Sequence, residues 1–286
     1  MKALSLLRPV LLAVQFFTRI PLPAWLADRV GFSPAAMRAA FAHLPAVGWL
    51  VGIWAALACM AVRALWGTPV MMQTAPVLVY MLAAMLSTAA TLWLTGCFHE
   101  DGLADVADGL GGFVDAERAL RIMKDPRVGN YAVCTMVLAF ALKTCLLTAL
   151  AALYWQGLLC MLVAAHVLSR FFPLVLAHAL PHVALEGQSK TQQAAGTIER
   201  IRLWVAALWC APLVAVCGWA EKGGLLMLML VCAALAAGLV ALHMGRWFKR
   251  RLHGFTGDCL GATQQICELA CYAAALTVLA HGGLAF

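Results

Sequence analysis

Long apolar runs recur along the chain and are separated by short polar stretches. A helix needs about 20 apolar residues to cross roughly 30 Å of hydrocarbon. The runs of suitable length are residues 44–64, 77–96, 131–153, 158–180, 203–220, 224–244 and 263–284. This pattern predicts an all-α, polytopic integral membrane bundle with about seven transmembrane helices.

A further apolar segment, residues 4–20, begins the chain and is less regular. It is interrupted by Gln15 and Arg19 and is followed by Pro21 and Pro23. A basic start before an apolar run is also typical of a cleaved signal peptide. The interruptions favour a retained interfacial or re-entrant segment over a signal peptide.

The composition excludes several classes of protein. The chain is 64% hydrophobic and 12% charged, with a mean hydropathy of +0.89. A soluble domain is about 45–50% apolar and about 25% charged, so a water-soluble fold, a disordered chain and a disulfide scaffold are all excluded. Most of the 11 cysteines lie inside apolar runs, where cysteine packs as a small hydrophobic residue. Without repeats or linkers, residues 1–286 are predicted to form a single polytopic domain.

The chain has a net charge of +7, and the distribution of its basic residues indicates the membrane topology. Basic residues concentrate in residues 1–43 and in the connections 97–130, 181–202 and 245–262, whereas Arg63 and Lys222 stand alone in the opposite connections. Lysine and arginine are enriched in cytoplasmic loops of membrane proteins. The pattern therefore predicts a multi-pass protein of the cell inner membrane with these three loops in the cytoplasm and the C-terminus outside. It gives no reason to expect nucleic acid as a partner.

The acidic residues are concentrated directly after the second predicted span. Asp101, Asp105 and Asp108 follow i, i+4, i+7 spacing, so on a helix they share one face. Carboxylates this close repel one another unless they are protonated or bind a cation. Oxygen ligands clustered in this way suit Mg²⁺ or Mn²⁺. The alternative is a solvated acidic loop, which would not require the interspersed Gly102 and Gly109.

A basic cluster follows the acidic one. Its members are Arg118, Arg121, Lys124 and Arg127. Such cations bind phosphate oxygens, and an acidic cluster followed by a basic one is typical of metal-assisted phosphoryl chemistry. The alternative is that these residues only anchor the topology. The turn residues Pro126 and Gly129 are not needed for anchoring, so they favour the binding role.

Three more charged residues are candidates for function. Asp258 lies in a stretch with Gly257 and Gly261 that leads into the last span, where glycines allow a ligand to approach the backbone. It could instead only anchor the start of that helix. Arg170 and Lys143 fall inside predicted spans, where charges are costly and usually functional. Arg170 could bind a loop carboxylate or a phosphate, and Lys143 could reach the interface or form a structural ion pair.

Four motifs, in order along nearly the whole chain, resemble the cobalamin synthase family, the adenosylcobinamide-GDP ribazoletransferases. They are Phe-Thr-Arg-Ile-Pro-Leu-Pro at 17–23, Glu-Asp-Gly-Leu-Ala-Asp at 100–105 with Asp-Gly at 108–109, Met-Lys-Asp at 123–125 with Arg-Val-Gly at 127–129, and Thr-Gly-Asp at 256–258 with Leu-Gly-Ala at 260–262. Pro126 departs from the family pattern, in which a small polar residue is expected.

The resemblance implies a Mg²⁺-dependent transfer. A ribose hydroxyl of α-ribazole, or of its 5′-phosphate, attacks the cobinamide-linked phosphorus of adenosylcobinamide-GDP, and GMP leaves. Adenosylcobalamin or its 5′-phosphate is the product. The metal ligands would be Glu100, Asp101, Asp105 and Asp108, and the phosphates would be held by Arg118, Arg121, Lys124, Arg127 and Arg170. Asp105, Asp258, Lys124 and Arg127 would form the catalytic set, with Asp258 orienting or deprotonating the acceptor hydroxyl.

Two other functions remain open at this level. CDP-alcohol phosphotransferases are also polytopic and Mg²⁺-dependent, but their signature begins Asp-Gly-x-x-Ala-Arg, whereas Ala104 here is followed by Asp105. A secondary transporter would typically show two halves with broken spans at matching positions, and no such symmetry is visible. The small residues in the spans would permit a homo-oligomer without specifying one.

Overall fold

The computed structural model describes residues 2–183, 198–219 and 223–282, whose regular structure is helical, as predicted. The helices are α1 (Lys2–Phe17), α2 (Ala24–Val30), α3 (Pro34–Phe41), α4 (Leu44–Trp66), α5 (Pro69–Thr74), α6 (Pro76–Thr95), α7 (Phe98–Gly111), α8 (Ala116–Ile122), α9 (Asn130–Leu153), α10 (Trp155–Ala179), α11 (Arg200–Cys210), α12 (Pro212–Trp219), α13 (Gly223–Leu252) and α14 (Gly257–Gly282). Lys222 and most of the connection 181–202, which the topology prediction used, lie outside the described residues.

Six helical stretches within the described residues are long and apolar enough to cross a membrane. They are α4, α6, α9, α10, the continuous stretch of α11 and α12, and most of α13. The seventh predicted span corresponds to α14, which is 26 residues or about 39 Å long. Gln264, Gln265 and Glu268 lower its hydropathy. The N-terminal segment is the shorter apolar helix Leu7–Phe17 within α1.

The predicted connection 245–262 is wrong in its extent, because most of it is helical. Helix α13 continues to Leu252, and its last turn holds Lys249, Arg250 and Arg251. These residues are strong helix formers, and their positive charges interact favourably with the C-terminal end of the helix dipole. His253, with φ of 59°, ends the helix.

The connection 97–130 is also mostly helical, since it contains α7 and α8. At the end of α13, the guanidinium of Arg251 donates hydrogen bonds to the backbone oxygens of Leu110 (3.3 Å), Gly112 (2.8 Å) and Val114 (3.4 Å). These carbonyls are at the C-terminus of α7, where the helix leaves its last oxygens without partners. Arg251 therefore joins the end of α13 to the end of α7.

Helix α14 is at the centre of the bundle and packs against α7, α9, α10 and α13, while α4 packs against α10 and α6. At one end of the bundle, Val183 N donates to the backbone oxygen of Phe255 (2.9 Å), and Phe255 N donates to that of Pro181 (3.0 Å). This backbone pairing ties the exit of α10 to the entry of α14. The acidic helix α7 packs against α14.

Candidate active site

The acidic face of α7 lines a cavity at the end of the bundle. A turn with left-handed backbone at Gly96 (φ 67°) and Cys97 (φ 59°) separates α6 from α7. Asp101, Asp105 and Asp108 then lie on one side of α7, as their spacing predicted. The cavity has a volume of about 250 Å³ and is lined by these three carboxylates, by Lys124, Asp125 and Arg127, and by apolar side chains of the same segment.

The motif Thr-Gly-Asp at 256–258 lies beside this cavity. Lys124 Nζ forms an ion pair with Asp258 Oδ2 at 2.7 Å, joining residues that are 134 positions apart in the chain. Asp258 is in the first turn of α14, and the hydroxyl of Thr256 caps this turn by accepting a hydrogen bond from Cys259 N (3.3 Å). Asp258 is thus held at the start of a helix and beside a cation that faces the cavity.

A close crossing of α7 and α14 brings these motifs together. A Cβ atom at Gly102 would lie 2.8 Å from the backbone oxygen of Asp258 and 3.1 Å from its Cα. A Cβ at Gly261 would lie 3.1 Å from the backbone oxygen of His99. These glycines therefore allow two helices to touch, and for Gly261 this replaces the predicted approach of a ligand. Gly257 has open space around it, so a ligand could still approach there.

The electrostatics single out Asp105. Burial, followed by the negative charges of Asp258 and Asp101, raises the pKa of this carboxyl to about 6, although Lys124 opposes the shift. Burial and the neighbouring carboxylates thus act together to disfavour the charged form of Asp105. By contrast, hydrogen bonds from Arg127 lower the pKa of the exposed Asp125 to about 2.

Asp108 has a structural partner in addition to its place in the cavity. Its Oδ2 accepts a hydrogen bond from Gly129 N (2.6 Å), and its Oδ1 accepts one from Ala132 N (2.9 Å). These amides belong to the start of α9, where the first four N–H groups have no partner within the helix. A Cβ at Gly129 would lie 2.6 Å from Asp108 Oδ1, so glycine is required for this contact. Asp108 therefore fixes α9 against α7.

Glu100 and Arg170 are not brought to the cavity. Glu100 is buried, and its Oε1 accepts a hydrogen bond from Gln265 Nε2 of α14 at 2.8 Å. Its burial raises its pKa, and its Oε2 has no hydrogen-bond partner within the described residues. Arg170 is buried within α10 and donates to the backbone oxygen of His166 at 3.1 Å. Neither residue is among those that line the cavity.

Two of the four basic candidates also lie away from the cavity. Arg118 and Arg121 are exposed on α8, and Arg121 forms an ion pair with Glu117 one turn earlier. Lys124 and Arg127 follow α8 and line the cavity. The basic cluster is thus divided into two exposed residues on α8 and two cavity-lining residues in the connection that follows it.

The charges inside the spans form a buried polar network. Lys143 of α9 and Glu268 of α14 form an ion pair at 2.6 Å, which is the structural pairing that sequence analysis left open for Lys143. Glu268 also accepts hydrogen bonds from Gln264 Nε2 (2.9 Å) and Tyr272 OH (3.2 Å). Sequence reasoning missed this role of Glu268. The signal was an acidic residue in one predicted span and a basic residue in another.

The residues around the cavity fit a magnesium ion. Within the described residues, no group of three or more His, Cys, Asp or Glu side chains is arranged to hold a metal. Mg²⁺ is usually bound by one or two carboxylates, several waters and the phosphates of a substrate. Asp101 and Asp105 offer such carboxylates, and the cavity leaves space for water and phosphate.

The fold and this cavity define a multi-pass membrane protein with a carboxylate- and cation-lined site at one end of its helix bundle. The sequence model of the family described as cobalamin-5-phosphate synthase matches residues 9–276, so the chain belongs to this family. It is accordingly an enzyme of the transferase class in cobalamin biosynthesis. This assignment supports the predicted membership of the cobalamin synthase family over the alternatives of a CDP-alcohol phosphotransferase and a secondary transporter.

Curated relatives support the assignment over nearly the full length. The chain is 47% identical to the adenosylcobinamide-GDP ribazoletransferase of Polaromonas sp. strain JS666, over 93% of this chain and 95% of the relative. It is 44% identical to the protein of that name from Albidiferax ferrireducens, over 93% and 96%. It is 36% identical to that from Vibrio cholerae serotype O1, over 95% and 94%. No solved structure matches the chain significantly.

Proposed function

We propose that this enzyme joins adenosylcobinamide-GDP to α-ribazole or to its 5′-phosphate. The oxygen of a ribose hydroxyl forms a bond to the cobinamide-linked phosphorus, the bond from that phosphorus to GMP breaks, and the hydroxyl loses its proton. Adenosylcobalamin, or its 5′-phosphate, and GMP are the products. The observation that carries the proposal is that the α7 carboxylates and Lys124 line one cavity, and that Lys124 also forms an ion pair with Asp258.

Charged side chains that line the cavity or lie beside it have distinct roles in this proposal. Lys124 and Arg127 bind oxygens of the pyrophosphate, because charge-assisted hydrogen bonds hold such anions and stabilise the charge that develops on them. Asp258 orients the acceptor hydroxyl or accepts its proton, since its carboxylate is held beside Lys124. Asp108 keeps the start of α9 against α7 and so maintains the shape of the cavity.

Mg²⁺ is the proposed cofactor, and Asp101 and Asp105 are its proposed ligands. When bound, the ion would neutralise the pyrophosphate and favour departure of GMP. The pKa of Asp105 is raised mainly by burial and also by the charges of Asp258 and Asp101; this second cause supports the placement, because a cation would relieve the repulsion among the carboxylates. Glu100 is directed toward Gln265, so its proposed role changes from a ligand to a support for α7.

We further propose that the cavity faces the cytoplasm from the cell inner membrane. The cavity residue Arg127 and the basic end of α13 belong to connections that the positive-inside rule assigns to the cytoplasm. Substrates that carry a nucleotide and phosphates would reach the cavity from that side. Protease or thiol-reagent access to this end in inverted and right-side-out vesicles tests the orientation.

The proposed reaction is tested with detergent-purified protein, adenosylcobinamide-GDP, α-ribazole or its 5′-phosphate, and Mg²⁺. We expect metal-dependent GMP release and cobalamin formation, both lost in Asp105→Asn. Asp115→Asn is the matched control, because Asp115 is exposed and only caps α8, a role that asparagine also fulfils. If Asp105→Asn retains turnover, Asp105 is excluded as a metal ligand. If wild type shows no turnover with any divalent metal, the proposed reaction is contradicted.

A further inference from the structure

An apolar groove on the outside of the bundle lies between α10 and α13. It has a volume of about 460 Å³, and its walls include Phe172 and Leu176 of α10 and Ala241 and Leu242 of α13. Leu242 is exposed, so the groove opens to the surface of the helix bundle. Both helices are long and apolar enough to cross a membrane, and the groove therefore faces the hydrocarbon of the bilayer.

Two glycines of α13 leave room in the groove. Gly238 and Gly245 are seven residues apart, which is two helical turns, so they lie on the same face. A Cβ at Gly238 would lie 3.2 Å from the ring of Phe172, and one at Gly245 would lie 3.7 Å from Leu176 Cγ. At Gly245 a larger side chain would extend into the space that the groove provides.

Two cations line one end of this groove. Arg246 and Lys249 are exposed, are one turn apart on α13, and are the charged members of the lining. Within the described part of the chain, neither forms an ion pair with a carboxylate. Their neighbour Arg251 is instead engaged with the carbonyls at the end of α7. The groove thus combines apolar walls with a positively charged end.

The length of the groove matches one leaflet of a bilayer. From Gly238 to Lys249 the helix rises about 16 Å, and half of the hydrocarbon thickness is about 15 Å. An acyl chain that lies along the apolar walls would place its headgroup phosphate next to the two cations. A free phosphate would meet the same cations but would leave the apolar walls uncovered.

We propose that this groove binds one anionic phospholipid, with an acyl chain along α10 and α13 and the headgroup phosphate at Arg246 and Lys249. The charge of the groove end favours an anionic headgroup over a zwitterionic one, because basic groups near a membrane surface attract anionic lipids. The site is separate from the cavity of α7, and the proposal does not rest on the proposed reaction.

The test uses full-length, delipidated protein in detergent, with bound lipid counted by native mass spectrometry. The probes are phosphatidylglycerol, phosphatidylcholine with the same acyl chains, and glycerol 3-phosphate as a headgroup without chains. We expect phosphatidylglycerol to bind most tightly and glycerol 3-phosphate to leave its binding unchanged. Lys249→Gln should weaken phosphatidylglycerol binding about fivefold, whereas its neighbour Arg250→Gln, outside the groove lining, should not.

A second variant tests the acyl-chain half of the proposal. Gly245→Leu should fill the groove and weaken binding of both phospholipids, with thermal unfolding of each variant confirming that it is folded. Arg246→Gln repeats the headgroup test if Lys249→Gln does not fold. Three outcomes would overturn the proposal. They are equal binding of the two phospholipids, equal effects of Lys249→Gln and Arg250→Gln, and displacement of phosphatidylglycerol by glycerol 3-phosphate. A protein dimer that Gly245→Leu dissociates would show that a second copy occupies the groove instead.

Discussion

The contact between α7 and α14 at Gly102 gives the sharpest prediction. A Cβ introduced by Gly102→Ala would lie 2.8 Å from a backbone oxygen of α14, whereas ordinary contacts begin at 3.4 Å. The obstructing atoms belong to the backbone of Asp258, so no side-chain rotation can relieve the clash. The two helices must therefore separate by about 0.6 Å at their crossing.

The separation has two consequences of different size. Overpacking a buried contact costs about 1–3 kcal/mol, so the variant should remain folded with a lower thermal midpoint. The same displacement moves the α7 carboxylates relative to Asp258, and misplacing reacting groups by about 1 Å can reduce turnover about 100-fold. We therefore expect kcat for GMP release to fall about 10- to 100-fold in Gly102→Ala, with the protein still helical by circular dichroism.

A series of alanine substitutions provides the controls. Gly261→Ala introduces a milder contact, 3.1 Å from the backbone oxygen of His99, and should lower kcat less than Gly102→Ala. Gly112→Ala, at the end of α7, meets no atom within 4 Å and should be close to wild type. The reasoning is refuted if Gly102→Ala turns over at the wild-type rate, or if Gly112→Ala loses as much activity.

Three further predictions concern the charged groups. Glu268→Gln should destabilise the protein by about 3–5 kcal/mol, because it leaves Lys143 buried without its counter-charge. Adding Lys143→Met should restore much of the thermal midpoint. An unaltered midpoint in Glu268→Gln would contradict the buried pair. Lys124→Met should lower kcat at least about tenfold, because it removes a cation that lines the cavity. Arg118 is exposed outside the cavity, so Arg118→Met should match wild type. Equal losses of kcat in the two variants would argue against the cavity as the active site. Because the pKa of Asp105 is raised to about 6, protons compete with Mg²⁺ below that pH. The Mg²⁺ concentration for half-maximal activity should therefore rise about fivefold from pH 6 to pH 5, and a constant value would exclude Asp105 as a ligand.

Features that depend on local spacing could be predicted from the sequence. The spans follow from the lengths of the apolar runs, and the shared face of Asp101, Asp105 and Asp108 follows from helical periodicity. The outward side of Arg118 and Arg121 could not be predicted, because it depends on how the short helix α8 is oriented against the bundle.

Features that depend on the packing of distant segments could not be predicted in this way. The ion pair of Lys124 with Asp258 requires the connection after α8 to lie against the start of α14, and no local pattern specifies that contact. Glu100 begins the acidic run, and helical rotation of 100° per residue turns it from the cavity face, but its contact with Gln265 depends on where α14 packs. A helix boundary in a basic segment is equally ambiguous, because lysine and arginine suit both a cytoplasmic loop and the end of a long helix.

From the length of α13 we expect this enzyme to be sensitive to the thickness of its bilayer. At 30 residues the helix is about 45 Å long, compared with about 30 Å of hydrocarbon. Its projecting end carries Arg251, which holds the C-terminus of α7. A thicker or thinner bilayer changes the tilt of such a helix through hydrophobic mismatch. A change in the tilt of α13 would move Arg251 and, through its hydrogen bonds, the acidic helix α7. The acyl-chain length of the surrounding lipids would therefore affect the geometry of the active site.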